Sequence, residues 1–478
     1  MITSVRNPKV AAALRLHKRA FRERDRAFLV EGAQSVGEAL RAPSPPTALF
    51  HVDPAHEQIE RARAKGIETI HVSDDVMGRL TGTVTPQGLV AVSPFVDVPL
   101  GSLADAPACV AVLHAVRDPG NAGTIVRSAD AAGADAVVFS SASVDAYNAK
   151  TVRASAGSLF HLPIVRGVET PEAIEELRSR GVRILATDAA ADADLYEQDL
   201  TEPIAFVFGN EAWGLPEEIA RLADTRVRVP IVARAESLNL ASAVTACVFE
   251  WARQAREGRR AVLETIIAAA AHDIRSPLTA MKGFGHALAT RWEQMTTEQR
   301  DLMLRGIVYD TDRLNTILRQ LVDAARLTAG ALDLFPERTD VGGLVEQVGV
   351  SLARDPDHPA IEWEGGEVVA LVDPERLRLV LEAFIESLVW WTNEGPVRVS
   401  GRIEGERLRV QTCRRGTDLT QDQADRLFHP RAPGTGAGSK IGLFVALGVA
   451  EAQGGGVSAR VDDSLCFALD VPVGPVRP

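Results

Sequence analysis

Between Ala108 and Ile231, runs of aliphatic residues alternate with helical runs, and this alternation limits the possible folds more than any other feature of the chain. CVAVLHAV, AVVFS, VRILATD, IAFVFGN and VRVPI read as strands, with helices through Ala122 to Ala132 and after Ala149. Near-continuous apolar strands separated by helices imply a parallel sheet covered on both faces. In such sheets the functional loops lie beyond the carboxyl ends of the strands. Three loops there are unusual: Val116 to Arg127 (VRDPGNAGTIVR), Gly209 to Pro216 (GNEAWGLP), and Val229-Pro230-Ile231 running on to Ser237-Leu238-Asn239.

Each loop has an ordinary structural reading. Asp-Pro-Gly-Asn is turn chemistry ahead of a helix, Gly-Asn-Glu ends a strand, and Ser237 is a helix cap. Together, in this order, they resemble the three motifs of the SpoU branch of the SPOUT RNA methyltransferases: D-P-x-N-x-G-x-I-x-R, G-x-E-x-x-G-L, and a proline-containing loop ending in S-L-N. The resemblance implies transfer of a methyl group from S-adenosylmethionine to a ribose 2'-hydroxyl of RNA. It also implies a deep trefoil knot, against the usual unknotted topology, and a homodimer in which two subunits complete the site. Arg127 stands at the family's reactive arginine and is assigned to activating the hydroxyl, while Asn121 and Asn239 orient the ribose or hold that arginine. Glu211 bonds or charge-pairs within the site, and Ser237 is a weaker catalytic candidate. Cofactor adenine is held by backbone groups at Gly209, Val229 and Leu238. A ribose hydroxyl is a weak nucleophile, so holding it in line and handling its proton is what such a site must do.

Ahead of these loops, Ile2 to about Val96 reads as a small α/β unit, and the Pro- and Asp-containing segment Ser93 to Pro107 reads as a linker. NPKV and FLVEGAQSVGEAL resemble the RNA-substrate-binding domain that precedes many family members. With a formal net charge of -12 the whole chain is no generic polyanion binder. Its first residues are nonetheless basic: Arg6, Lys9, Arg15, Lys18, Arg19, Arg22, Arg24 and Arg26 stand against Glu23, Asp25 and Glu31. A phosphate-contacting surface and a solvated helix face both fit that pattern. Cys109, Cys247, Cys413 and Cys466 lack disulfide or zinc-ligand spacing, so neither disulfides nor a metal site are expected. No apolar run reaches the roughly 18 residues of a membrane span, and the N-terminus lacks a signal-peptide core. A cytoplasmic protein without membrane partners is the expectation.

Ser237 to Thr279 forms one helical run, uninterrupted by proline until Pro277, and it leads into a second kind of module. Two long amphipathic helices, Val262 to about Thr290 and Thr297 to Ala329, form a hairpin able to dimerise into a four-helix bundle. His272-Asp273-Ile274-Arg275-Ser276-Pro277-Leu278-Thr279 resembles the phosphoacceptor box of sensor histidine kinases, with His272 at the phosphorylated position and Asp273 beside it as acid/base. The nucleotide boxes depart from that family. Ala383 and Ser387 replace asparagines, Trp390 replaces a lysine, Arg414 replaces the adenine-binding aspartate, and Lys440 sits in the glycine-rich lid Gly438 to Leu443; Leu427-Phe428-His429 keeps the phenylalanine segment. Losing an asparagine removes a magnesium ligand, and arginine for aspartate replaces an acceptor with a donor.

The overall expectation is an α/β chain of four domains. Residues 1–96 bind RNA, and 108–256 form the SPOUT (SpoU) trefoil-knot methyltransferase. Residues 260–330 are a histidine-kinase-like dimerisation and phosphoacceptor hairpin, and 335–478 an α+β domain of the histidine-kinase ATPase type, degenerate and not expected to hold ATP or magnesium. Ribosomal RNA is favoured over transfer RNA as substrate. The alternative is a sensor histidine kinase using the RNA-binding half as its input, with a response regulator or another kinase as partner.

Overall fold

The computed structural model describes residues 1–81, 83, 85–232, 237–329, 331–352, 358–428 and 440–473, all with side chains except His272 and Lys440. The His272 side chain, His429, Gly438, Ser439 and the Lys440 side chain, all singled out above, thus lie outside the described residues. The chain divides into two compact units, Met1–Glu257 and Gly258–Pro478.

In the first unit, helices α1 (Pro8–Arg15), α2 (Arg19–Asp25), α3 (Ala33–Arg41), α4 (Glu57–Ala64) and α5 (Asp74–Thr81) surround strands β1 (Ala27–Glu31), β2 (Ala48–His51), β3 (Glu68–His71) and β4 (Leu89–Pro94). The strands lie in the order β1-β4-β2-β3, and only β2 and β3 run parallel. Asn7 caps α1 by accepting the Lys9 N–H at 3.0 Å, with Pro8 opening the helix where its missing N–H costs nothing.

A second sheet follows, made of β5 (Cys109–Leu113), β6 (Ala136–Ser140), β7 (Ile164–Val168), β8 (Arg183–Thr187), β9 (Ala193–Asp194), β10 (Ile204–Phe208) and β11 (Thr225–Arg228). Its order is β7-β6-β5-β10-β8-β11-β9, and every pairing is parallel. Helices α6 (Pro119–Ala132), α7 (Ala149–Ser155), α8 (Thr170–Ser179), α9 (Glu217–Ala220) and α10 (Leu240–Arg291) connect or follow the strands. Every residue of β5, β6 and β10 is buried, as a sheet covered on both faces requires. Alternation splits β5 between two cores: Cys109, Ala111 and Leu113 pack with residues of α6 and α10, and Val110 and Val112 with residues of α8.

The segment read as a linker is instead packed down. Phe95 stacks on Tyr147 with ring centroids 4.0 Å apart, and the Tyr147 hydroxyl accepts the Val96 and Asp97 N–H groups at 2.8 and 2.7 Å and donates to Asp97 Oδ1 at 2.8 Å. The Arg166 guanidinium lies over Phe95 and pairs with Glu23 at 2.8 Å and Asp97 at 3.2 Å. Burial opposes the Asp97 charge, but the Tyr147 hydroxyl and Arg166 outweigh it and hold the carboxyl below its usual range. Proline and aspartate content suggested a tether; aromatic and charged partners more than 50 residues away in sequence made it a joint. Beside it, Arg22 is buried and bonds Asp145 Oδ2 through Nε and Nη2 at 3.0 and 2.6 Å, and the Leu16 and His17 carbonyls through Nη1 at 2.8 and 2.9 Å. One of the eight basic residues at the N-terminus is therefore a structural anchor.

In the second unit, the later part of α10 and α11 (Thr297–Thr328) are the expected long helices, and α10 runs on through Pro277. Thr296 and Gln299 form a reciprocal capping box at the start of α11. The remaining elements are β12 (Glu337–Asp340), α12 (Val341–Leu352), β13 (Ile361–Trp363), β14 (Val369–Val372), α13 (Pro374–Trp391), β15 (Glu394–Glu404), β16 (Arg407–Arg415), α14 (Gln421–Asp425), α15 (Lys440–Ala452), β17 (Gly456–Val461) and β18 (Ser464–Pro472). They give a sheet of order β13-β15-β16-β18-β17 and a β12-β14 pair. Arg376 of α13 pairs with Asp323 of α11 at 2.6 Å, both largely buried. The expectation of no disulfide is corrected here. Cys413 and Cys466 are directly opposite one another on β16 and β18, with Cα atoms 4.1 Å apart, and are bonded. Spacing along the chain could not reveal a pairing set by strand register.

Arg22→Ala would leave the Asp145 carboxylate buried without its cation, a loss of about 3–5 kcal/mol. Hydrogen exchange on the full chain should then quicken across α2 and residues 143–147. An unchanged exchange pattern would refute the anchoring role.

Candidate active site

The parallel pairing of β5 with β10 runs from Cys109 beside Ile204 to Leu113 beside Phe208, so the two loops that follow leave the sheet side by side. The first begins with strain: Ala115 is left-handed, at φ 52°. Its carbonyl accepts the Asn210 Nδ2–H from the second loop at 2.7 Å, and its N–H donates to Ser140 Oγ at 3.0 Å. Asn210 Oδ1 in turn accepts the Ala212 N–H at 2.8 Å, and Asn210 and Gly214 exchange backbone hydrogen bonds at 3.0 and 2.9 Å. The second loop is thereby a closed turn with Glu211, Ala212 and Trp213 at its tip. A Cβ on Gly209 would lie 2.2 Å from the Gly214 carbonyl carbon, so this position admits no side chain.

Glu211 joins the loops. Its Oε2 accepts the Arg117 N–H at 3.1 Å, and its Oε1 accepts the Asp118 N–H at 3.0 Å and Asn121 Nδ2–H at 3.1 Å. Partial burial opposes the Glu211 charge, but the N–H groups of Asp118, Glu211 itself and Arg117, with the Asn121 amide, outweigh it and hold the carboxyl below its usual range. From the third loop, Asn239 Nδ2 donates to Asn121 Oδ1 at 3.1 Å. A single chain of bonds, Glu211 to Asn121 to Asn239, therefore ties all three loops together.

The helices are set to present these groups. α6 begins earlier than its apolar pattern suggested, at Pro119, with Asp118 as cap accepting the Asn121 N–H at 2.8 Å; Lys150 pairs with Asp118 at 2.9 Å. A Cβ on Gly123 would come 2.3 Å from the Thr151 carbonyl oxygen, so that glycine lets α6 lie directly on α7. Asn239, and not Ser237, opens α10, accepting the Ala241 N–H at 2.9 Å.

Among the expected residues, the structure joins Asn121, Glu211 and Asn239. Arg127 lies on the exposed face of α6 and makes no hydrogen bond or ion pair among the described residues. Ser237 is exposed and likewise unbonded among the described residues. Gly209 is buried just past β10, Val229 is half-buried just past β11, and Leu238 is exposed just ahead of α10. Asn210 was not singled out from the sequence, although an asparagine after a strand and before a glycine turn is a signal for side-chain-to-backbone bonding. Among the described residues no group of acidic, histidine or cysteine side chains is placed to hold a metal ion.

Residues 108–249 match the SpoU rRNA methylase family model, and residues 7–91 match an MRM3-like substrate binding domain. A 23S rRNA guanosine 2'-O-methyltransferase of Bacillus subtilis is 37% identical over 248 residues, 97% of that protein and 52% of this chain. The chain belongs to the SpoU rRNA methylase family. A 23S rRNA uridine 2'-O-methyltransferase of Streptomyces viridochromogenes is 35% identical over 260 residues, 89% of its length and 52% of this SpoU-family chain. A crystal structure of an S-adenosylmethionine-bound rRNA methyltransferase from Sinorhizobium meliloti is 34% identical, with 97% of that chain and 53% of this one aligned at a TM-score of 0.49. Beyond the part shared with these relatives, residues 262–330 match the His Kinase A phospho-acceptor domain.

Glu211→Gln keeps the size of the side chain but removes the charge that three N–H donors share. These bonds are solvent-exposed and each contributes about 0.5–1.5 kcal/mol net, so amide exchange at Arg117 and Asp118 should quicken roughly twofold to tenfold. Because the folded pKa is depressed, this support is present above the ordinary glutamate pKa of about 4.3 and lost as pH falls through the lower folded value. Exchange rates followed against pH would check both statements, and rates identical in the variant would refute the clamp.

Proposed function

We propose that this chain is an S-adenosylmethionine-dependent RNA ribose 2'-O-methyltransferase, that ribosomal rather than transfer RNA is its substrate, and that it works as a homodimer in the cytoplasm. The observation that carries the reading is the Glu211–Asn121–Asn239 chain, which fixes two side-chain amides at the mouth of the sheet. Family membership supports the reaction and the cofactor. The named rRNA enzymes among the relatives, with a substrate-binding domain ahead of the methylase, support ribosomal RNA. Among the described residues no helix is long and apolar enough to cross a membrane.

The donor set suits the cofactor: bare backbone at Gly209, with Val229 and Leu238, would hold the adenine, and the charged Glu211 carboxylate would complement a cationic ligand. S-adenosylmethionine, when bound, supplies the electrophilic methyl group. Each asparagine amide has two N–H donors and spends one in the chain just described, so one on each is left to orient the ribose hydroxyl. That hydroxyl must lose its proton as it takes the methyl. Arg127 acts through the fixed charge of its guanidinium on the developing alkoxide. Its exposed position, without a hydrogen bond or ion pair among the described residues, fits a site completed by a second copy. Ser237 adds a hydroxyl at the same mouth.

In the second unit we propose a degenerate kinase-like module, spanning a dimerising hairpin at 260–330 and an ATPase-like domain at 335–478, with a regulatory or dimerising role. His272 and Asp273 remain a phosphoacceptor pair for a partner kinase. Arg414 supports the loss of nucleotide binding: its Nη1 donates to the Thr392 carbonyl at 2.7 Å and its Nε to the Gly395 carbonyl at 3.0 Å, so a protein side chain occupies the place of the adenine-binding acid.

Incubation with labelled cofactor and unmodified ribosomal RNA should give incorporation at a ribose 2'-oxygen, falling on the order of a hundredfold or more in Arg127→Ala. No incorporation, or full activity in the variant, would sink the assignment. Titration of ATP with magnesium into the full chain should show no binding heat; micromolar binding would overturn the degenerate reading.

A further inference from the structure

Trp213 is 58% exposed, yet it stands on the turn closed by the Asn210–Gly214 bonds and the Asn210 bond to the Ala115 carbonyl. An indole on a rigid turn with a guanidinium over its ring offers a ready-made face for stacking. One companion lies against it: the Arg117 guanidinium carbon, 5.3 Å from the indole centroid. Arg117 forms no ion pair among the described residues, although its backbone N–H is bound to Glu211 at 3.1 Å. Trp213 is two residues from Glu211 along the same turn. The Glu211 carboxylate, on the turn that carries Trp213, thus bonds both the backbone of Arg117 and the Asn121 amide.

Resting on the methyltransferase reading above, we propose that Trp213 and Arg117 form a stacking platform for a base of the RNA, next to the ribose presented to Asn121 and Asn239. An indole face stacks on any base, and a guanidinium adds a planar cation that serves either a base or the adjoining phosphate. A target ribose must be held in line for attack, and gripping the base beside it fixes the sugar without blocking its 2'-oxygen. The platform is a positioning device, and it is sequence-tolerant because every base has a π face.

The test uses the full chain, S-adenosylmethionine and ribosomal RNA purified from cells lacking the protein. Trp213→Ala and Trp213→Leu should raise KM for RNA roughly fivefold to a hundredfold, the size of one lost base stack, with kcat within about threefold. Trp213→Phe, which keeps a ring, should restore most of the affinity. Cofactor affinity by calorimetry and oligomeric state by sedimentation should match the wild type. A wild-type KM in Trp213→Ala overturns the proposal. So does a weakened cofactor Kd, which would make the indole part of the adenine pocket, or a changed oligomeric state, which would make it a subunit contact. RNA binding measured without cofactor separates this inference from its parent. If the wild type transfers no methyl group, the methyltransferase reading fails, while a fivefold or greater loss of RNA affinity in Trp213→Ala still upholds the platform and equal affinity overturns it.

Discussion

The carboxylate of Glu211 is the constraint on which the first unit's site depends. Parallel register sets β5 beside β10 residue for residue, so that the loops after Leu113 and Phe208 emerge together. Neither loop has a regular partner for its backbone, so the N–H groups of Arg117 and Asp118 need an acceptor from outside their own segment. Glu211 accepts both of them and the Asn121 amide, turning three irregular segments into one body. Its charge is favoured by those donors and by its place near the opening turn of α6, whose N-terminal end attracts negative charge. The site is thus held by the same electrostatics that lower the carboxyl's pKa, and a neutral side chain of the same size would not substitute for it.

The parts of the fold that were legible in the sequence are those governed by local pattern. AVVFS reads as a strand and is β6, and the runs at IAFVFGN and VRILATD contain β10 and β8. The three loop motifs were visible because their residue types are rare in combination, and the structure joins Asn121, Glu211 and Asn239. What escaped was governed by distant partners. Ser93 to Pro107 has the composition of a linker, but Tyr147 and Arg166, far along the chain, pin it. Cys413 and Cys466 are separated by 53 residues and meet only through the register of β16 and β18. β7 went unread because Pro163 precedes it and Gly167 interrupts it, and the two-residue β9 leaves no periodic signal. Arg127, six residues beyond Asn121 in the same motif, stands on an exposed face of α6.

In the second unit, the positions where the proposed kinase-like reading expects nucleotide-binding side chains are filled by residues that fit the core. Ala383 and Ser387, where metal-binding asparagines would stand, are buried on α13 and pack without needing a ligand. A buried asparagine would require hydrogen-bond partners there, whereas alanine requires none. Arg414 finds carbonyl acceptors within its own chain, so an exchange of acceptor for donor leaves no unsatisfied group. The ion pair between Arg376 and Asp323 and the disulfide between β16 and β18 tie the unit's elements together independently of any ligand.

The basic N-terminus bears on how RNA would be gripped. Arg22 is locked in the core against Asp145 and is lost to any partner. Lys9, Arg19, Arg24 and Arg26 face Glu68, Glu23, Asp25 and Asp97. The first three of these pairs are solvent-exposed on both sides, and such pairs contribute only about 0–1 kcal/mol, so a phosphate competes with them easily. Arg6, Arg15 and Lys18 form no ion pair within 4 Å among the described residues, though Arg15 is near enough to act on Asp25. Counterion release from so few free cations yields a modest, salt-sensitive attraction, and the chain as a whole repels a polyanion. Affinity sufficient for a specific substrate must then draw on contacts that do not depend on net charge. Exposed π faces beside the site are such contacts, which is why an indole kept in solvent next to Glu211 carries more weight than the charge of the basic end.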